Sequence, residues 1–145
     1  MVTEREAKYL KIIYEMEESG WIIVGAQQVA EKMGITRASA YEALMKLSGK
    51  GLLKHYPKKG FALTNKGRCL VKRLIRTHRI IETMLVELFN VPLDRACECA
   101  ARLEIVFSQD IVERIFGFLG EPECCPHGEP IPSLDECEEG AENVC

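Results

Sequence analysis

Residues 124–132 read CCPHGEPIP, which brings two adjacent thiols, an imidazole and three prolines into nine positions. Thiolate sulfur and imidazole nitrogen are donors to transition metals, and thiolate is also the ligand of iron–sulfur clusters and the group that redox sensors oxidise. Seven cysteines occur along the chain: Cys69, Cys97, Cys99, Cys124, Cys125, Cys137 and Cys145. The first residues, MVTEREAKYL, are charged and lack the apolar core of a signal peptide, so a cytoplasmic protein is expected. In that compartment an odd number of cysteines does not read as a disulfide framework. Metal binding, cluster binding and thiol sensing remain open. Cys69, inside an apolar helical pattern, reads as a buried hydrophobe instead.

Charge divides the 145 residues unevenly. Residues 1–79 carry 16 Lys/Arg against 7 Asp/Glu, net +9, and residues 80–145 carry 3 against 15, net −12; together they give the chain's −3. A basic front suits a polyanion, and an acidic rear suits cations. No apolar run approaches the ~20 residues of a membrane helix, so no membrane partner is expected.

The elements that must carry these groups are mostly helical. Thr3 and Glu6 form a capping-box pattern before the spaced residues Ala7, Leu10, Ile13, Tyr14 and Glu17, which predicts a helix ending near Gly20. Ala26–Met33 and a second helix from Thr36 to about Ser48, joined by a turn at Gly34, form a helix-turn-helix. Leu52–Tyr56 and Phe61–Thr64 read as strands joined by PKKG. A helix-turn-helix followed by a basic hairpin is a winged helix. One long helix is expected over Lys66–Phe89, with an apolar stripe of Leu70, Val71, Leu74, Ile75, Ile81, Leu85 and Leu88. Two more helices are expected, over Asp94–Phe107 and from a Ser108 cap to Leu119. The fold class is mainly α: a winged helix-turn-helix over residues 1–65, a helical dimerisation and metal-sensing domain over 66–135, and an acidic, cysteine-containing tail over 136–145.

The second helix of a helix-turn-helix enters the major groove led by its first residues. Thr36, Arg37, Ala38, Ser39, Tyr41 and Lys46 are the candidates here, with Lys58 and Lys59 in the wing for neighbouring phosphates or the minor groove. The expected partner is a double-stranded DNA operator. An enzyme is not expected, because no Cys-x-x-Cys pair and no Gly-rich phosphate loop occur.

The segments YLKIIYEMEESG, VAEKMGITRASAYEALMKLSGKGLL, LTNKGR, HRIIETMLVELFNVPLDRACECAARLE and CPHGEPIP together resemble the metal-dependent repressors, relatives of the diphtheria toxin repressor and the manganese transport regulator. The match runs from residue 4 to about 136, and its most specific pieces are HRIIE and PHGxPIP. The resemblance implies a homodimer that represses metal-uptake genes when ferrous iron or manganese binds the helical domain. It places the family's primary metal site on Lys8, Ala101, Glu104 and Ile105, of which only Glu104 can ligate a divalent cation. It places the ancillary site on His78, Glu82 and Cys97 and folds the PHGxPIP turn toward it, near Cys124 and Cys125. Iron is the expected effector, with zinc or manganese possible. The alternative is an iron–sulfur cluster on cysteines drawn from Cys97, Cys99, Cys124, Cys125, Cys137 and Cys145, or disulfide chemistry among them. Anaerobic visible spectra separate these readings. A cluster shows broad absorption with acid-labile sulfide, a single ion gives a colourless protein with one metal per chain, and thiol chemistry shows neither.

Overall fold

Helix α1 (Glu4–Glu18) begins at the expected capping box. Glu6 N–H donates to Thr3 Oγ1 at 3.1 Å, and Thr3 N–H donates to Glu6 Oε2 at 3.0 Å, which satisfies two of the amides that every helix start leaves without a partner. Its inward face holds Ala7, Leu10, Ile13 and Met16. Glu17 is on the same spacing, and its carboxylate caps another element by accepting Leu63 N–H at 2.8 Å and pairing with Arg68. The computed structural model describes residues 2–138, and Cys145 lies outside them.

Two compact units divide this chain, residues 2–71 and 72–138. In the first, α1 packs on α2 (Ala26–Met33) and α3 (Arg37–Gly49). Gly34 closes α2 in the left-handed conformation at φ 67°. Thr36 caps α3 by accepting Ser39 N–H. Ala30 and Ala40, both fully buried, stand on the facing helices, where small residues allow close packing. Strands β1 (Leu53–Tyr56) and β2 (Gly60–Leu63) pair antiparallel, with Leu53 opposite Leu63 and Tyr56 opposite Gly60. Val24 adds a third edge that the sequence reading leaves as an apolar stretch: it exchanges two 2.8 Å backbone hydrogen bonds with Phe61. A Cβ at Gly60 would come within 2.3 Å of the Val24 carbonyl oxygen, and one at Gly67 within 2.0 Å of that of Leu52, so both approaches require glycine.

Helix α4 (Asn65–Phe89) begins in the first unit and supplies most of the core of the second. The expected apolar stripe is only partly the buried face. Val71, Leu74 and Ile81 are buried, but Leu88 stands 48% exposed, and Ile80, Arg76, Thr77, Glu82 and Thr83 take places inside. Helix α5 (Leu93–Leu103) is a full turn shorter than the expected 94–107. The chain leaves the helix at Glu104, where Val106 and Phe107 N–H groups both donate back to the Leu103 carbonyl. β-Branched Ile105 and Val106 favour that departure. Helix α6 (Gln109–Phe118) follows, and a short α7 (Asp135–Glu138) was not expected from the acidic pattern. No helix among the described residues is long and apolar enough to cross a membrane.

Arg76 ties this unit together. Arg76 is buried, and its guanidinium donates to both oxygens of Glu113 on α6 at 2.8 and 2.9 Å and to the Pro132 carbonyl at 3.0 Å, over the face of Phe116. Arg79, one turn away, donates to the Pro130 carbonyl. Two arginines of α4 therefore hold the proline-rich segment against that helix.

Lys50 Nζ meets both oxygens of Glu6 at 3.0 and 2.9 Å. Partial burial raises the Glu6 carboxyl, but the hydrogen bonds from Lys50 and the Thr3 amide outweigh it and hold its pKa below the ordinary 4.5. A depressed pKa contributes stability that is present above the unfolded value and lost as pH falls through the folded one. Glu6→Ala is expected to lower unfolding free energy by about 1 kcal/mol at neutral pH, mainly through the lost cap. In urea melts the difference from the parent protein should shrink below about pH 4.5; an unchanged difference at pH 3 would show that the carboxylate is not responsible.

Candidate metal centre and nucleic-acid face

Within residues 72–138, α4 carries His78 and Glu82 one turn apart, so both project from the same side of the helix. Glu82 is 1% exposed. Burying a carboxylate costs several kcal/mol unless its charge is matched. Its two oxygens meet two different imidazoles: Oε1 lies 2.8 Å from His127 Nδ1, and Oε2 lies 3.4 Å from His78 Nε2. A divalent cation among these groups would be a strong match for a buried carboxylate.

His78 is oriented from behind. Glu104, buried at the end of α5, sits with Oε2 2.8 Å from His78 Nδ1. That contact orients the ring so that Nε2 faces Glu82 Oε2 and, at 3.5 Å, Cys97 Sγ. A carboxylate behind the imidazole is the usual way to fix a ligating histidine. Glu104, a candidate ligand in the sequence reading, thus stands behind the ring and belongs to neither donor group described below. Cys97 and Cys99 lie on one helix two residues apart and point differently: Cys97 is half-buried and Cys99 exposed.

The segment 123–132 folds into a tight hairpin. Cys125 N–H donates to the Glu129 carbonyl and Gly128 N–H to the Cys125 carbonyl, both at 2.8 Å, while Ile131 N–H donates to Glu123 at 2.9 Å. Pro126 follows Cys125 in the turn, a position its fixed φ suits, and Gly128 adopts φ 81°. Neighbours on an extended arm face opposite sides. Cys125 is accordingly buried and Cys124 exposed, so the two adjacent thiols are not equivalent.

Two groups of potential ligands result: His78, Glu82 and Cys97, and Glu82, Cys125 and His127, with the donor atoms of each within 4.8 Å of one another. Cys99, Cys124 and Cys137 belong to neither. Cys137, buried on α7, is disulfide-bonded and so is not a cluster ligand, and Cys69 is disulfide-bonded as well, not the buried hydrophobe its helical pattern suggests. His127 is the ligand candidate that the sequence reading passed over. Its signal was present, since a thiol and an imidazole two residues apart flank a proline turn. The donor sets, imidazole with carboxylate and thiolate, fit zinc, ferrous iron or cobalt better than the harder manganous ion. Among the described residues each group contains one cysteine, whereas an iron–sulfur cluster is normally held by four thiolates.

In residues 2–71 the second helix of the helix-turn-helix leaves one face open. Thr36, Arg37, Ala38, Ser39, Tyr41 and Lys46 are all exposed, while Ala40, Leu44 and Leu47 of the same helix are buried. The Thr36 hydroxyl donates to Ser39 Oγ at 2.9 Å, which leaves the Ser39 proton as the pair's outward donor. Lys46 forms an exposed ion pair with Glu42 at 3.5 Å, too weak to hold it from a phosphate. Tyr41 is braced edge-on by His55 and Phe61, with centroids at 5.9 and 6.0 Å. Lys58 and Lys59 are exposed at the tip of the hairpin. Lys58 sits at φ 65°, where glycine is favoured, so a cation is kept at a position that costs a side chain of order 1 kcal/mol. A cavity of about 510 Å³ opens between the start of α2, Arg37 and Tyr41 of α3, and the lysines of the hairpin. The result is a polar, basic face on α3 beside the two lysines of the hairpin, a pattern of charge that suits a polyanion.

Two family models match the chain. The iron-dependent repressor N-terminal DNA-binding domain matches residues 1–61, and the iron-dependent repressor metal-binding and dimerisation domain matches residues 64–133. The iron-dependent repressor IdeR of Mycobacterium tuberculosis is 33% identical over 134 residues, 92% of this chain and 58% of its own length, so the chain spans little more than half of that relative. Among solved structures, the hypothetical protein SSo2273 of Sulfolobus solfataricus matches with a TM-score of 0.78 at 31% identity, covering 91% of this chain and 100% of that one. The manganese regulator SloR matches with a TM-score of 0.77 at 38% identity, covering 89% of this chain and 60% of that one.

Arg37→Ala is expected to weaken binding to a selected duplex by about 1–3 kcal/mol and to relax its sequence preference. Lys58→Ala should weaken all duplexes alike and reduce the slope of log affinity against log salt by about one per hairpin engaged. Fluorescence anisotropy between roughly 50 and 200 mM salt reads both; unchanged affinity in both variants would rule out this face.

Proposed function

The chain belongs to the iron-dependent repressor family, and from that premise we propose that it is a transcriptional repressor whose operator affinity is set by a transition metal held around Glu82. The single observation that carries this reading is the buried Glu82 carboxylate, flanked on its two oxygens by His127 and His78 with a thiol beside each imidazole. The members of this family are transcriptional repressors and not enzymes. His78, Glu82, Cys97, Cys125 and His127 would hold the metal, which would supply the positive charge that matches the buried carboxylate.

The residues of the chain do the rest. Glu104 holds the His78 ring, and Arg76 and Arg79 hold the hairpin so that Cys125 and His127 face α4. Thr36, Arg37, Ala38, Ser39, Tyr41 and Lys46 read the operator, and Lys58 and Lys59 hold the flanking backbone. A ligand shifts DNA affinity only by the difference in its own affinity for the two forms. The effector therefore has to bind the DNA-competent form more tightly than the free one. The donors' softness supports iron or zinc over manganese at this centre.

Homodimerisation is part of the same reading. Leu88, Phe89, Val106, Ile111 and Phe118 remain exposed on the second unit, which supports a partner surface there. A cytoplasmic location accords with a DNA operator as the partner. An iron–sulfur sensor has less support, since each group of donors among the described residues combines one thiol with imidazole and carboxylate.

Saturating ferrous iron or zinc under anaerobic conditions is expected to raise affinity for an operator selected from genomic fragments by ~10–100-fold, and chelation should reverse it. Glu82→Ala should abolish the metal response while far-UV circular dichroism stays helical. The purified protein should contain no stoichiometric acid-labile sulfide. Metal-independent operator binding in the parent protein would overturn the proposal.

A further inference from the structure

Residues 130–137 follow one stripe of α4. Arg79 donates to the Pro130 carbonyl, Arg76 to the Pro132 carbonyl at 3.0 Å, and Lys72 Nζ to Glu136 Oε2 at 2.8 Å. Positions 79, 76 and 72 descend the helix in steps of three and four, which keeps them on one face while the segment runs the opposite way. The next position of that stripe is Cys69, and the next residue of the segment is Cys137. Both are disulfide-bonded, whereas Cys97, Cys99, Cys124 and Cys125 are in no disulfide. The seam is held unequally along its length. Arg76 is buried and fixed by Glu113 and Phe116 as well as by Pro132. Beyond Pro132 the printed polar fastening is an ion pair whose Glu136 side chain is 85% exposed, and such pairs contribute little. Helix α7, four residues long, is too short to stand on its own hydrogen bonds. A covalent bond at Cys137 therefore decides whether residues 133–138 stay docked.

We propose that Cys69 and Cys137 are joined to each other, and that this bond is a redox-sensitive latch: a small-thiol reductant releases residues 133–138 from α4, and a small disulfide oxidant fastens them again. Cys137 is buried and Cys69 half-buried, so the reductant's thiolate attacks the Cys69 sulfur. The protein's S–S bond breaks, a mixed disulfide forms at Cys69, and Cys137 leaves as a thiolate that takes up a proton. A second reductant thiolate attacks the reductant sulfur of the mixed disulfide, frees Cys69 as a thiol and leaves as the oxidised dimer of the reductant. The two electrons that reduce the protein come from these two thiols, and the reverse exchange closes the bond. The cytoplasmic location proposed above makes a sensing bond the expected kind, since permanent disulfides belong to oxidising compartments. The latch does not depend on a metal.

The test equilibrates the full chain anaerobically with graded mixtures of reduced and oxidised glutathione, quenches by alkylation and maps the linked peptides by mass. The oxidised and reduced forms are then compared by hydrogen–deuterium exchange. One linkage is expected, Cys69 to Cys137, lost as the share of reduced glutathione rises and regained when the mixture is reversed. In the reduced form the amides of residues 133–138 should exchange at least ~10-fold faster, while those of α5 and α6 keep their rates. Cys69→Ser and Cys137→Ser should each show the fast exchange already in the oxidising mixture and no further response to reductant. Should a variant fail to fold, the reduced parent chain decides. A bond from Cys137 to any other cysteine would overturn the pairing. A bond that survives reduced glutathione alone would be a permanent staple and would overturn the latch, as would equal exchange over 133–138 in the two forms.

Discussion

A carboxylate kept from water inside a helical unit is a liability unless charge is brought to it, and Glu82 is that carboxylate. The elements around it serve its two oxygens. Helix α4 provides His78 one turn away, α5 brings Cys97 beside that ring, and Glu104 at the end of α5 fixes the ring's direction. The hairpin brings His127 to the other oxygen and Cys125 beside it. A well-packed apolar residue at position 82 would make a more stable core.

The hairpin needs its own restraint, because a loop of this length gains little from local contacts. Its internal bonds close a turn around Pro126 and Gly128, and Arg76 and Arg79 then grip its Pro130 and Pro132 carbonyls. Proline has no N–H to donate, but its carbonyl remains a full acceptor, so these prolines stiffen the loop without losing the groups by which it is held. Arg76 can be buried because Glu113, a carbonyl and an aromatic face all meet its guanidinium.

The DNA-binding unit rests on a different economy. Its core is apolar, and Arg37, Lys46, Lys58 and Lys59 stand exposed on its surface. Gly60 and Gly67 allow the hairpin and α4 to approach neighbouring backbone closely. The residue at the hairpin tip that would be easiest as glycine is instead Lys58. A unit selected for stability alone would not make that choice.

Much of this was legible in the residues. The capping box at Thr3 and Glu6, the Gly34 turn, the Thr36 cap and the basic hairpin are local signals, each complete within a few positions. Helical spacing also separated Cys97 from Cys99, since 100° per residue turns them to different surroundings. The burial of Arg76, Glu82 and Glu104 was not legible as burial, because hydrophobic periodicity registers apolar residues and is blind to polar ones matched by distant partners. Nor could spacing choose between Cys124 and Cys125, or bring His127 to a carboxylate 45 positions earlier in the chain. The chain alone determined which chemistry is present and which helices carry it. Tertiary structure alone decided which of those groups meet, because contacts between residues far apart depend on how the loops close and not on any local preference.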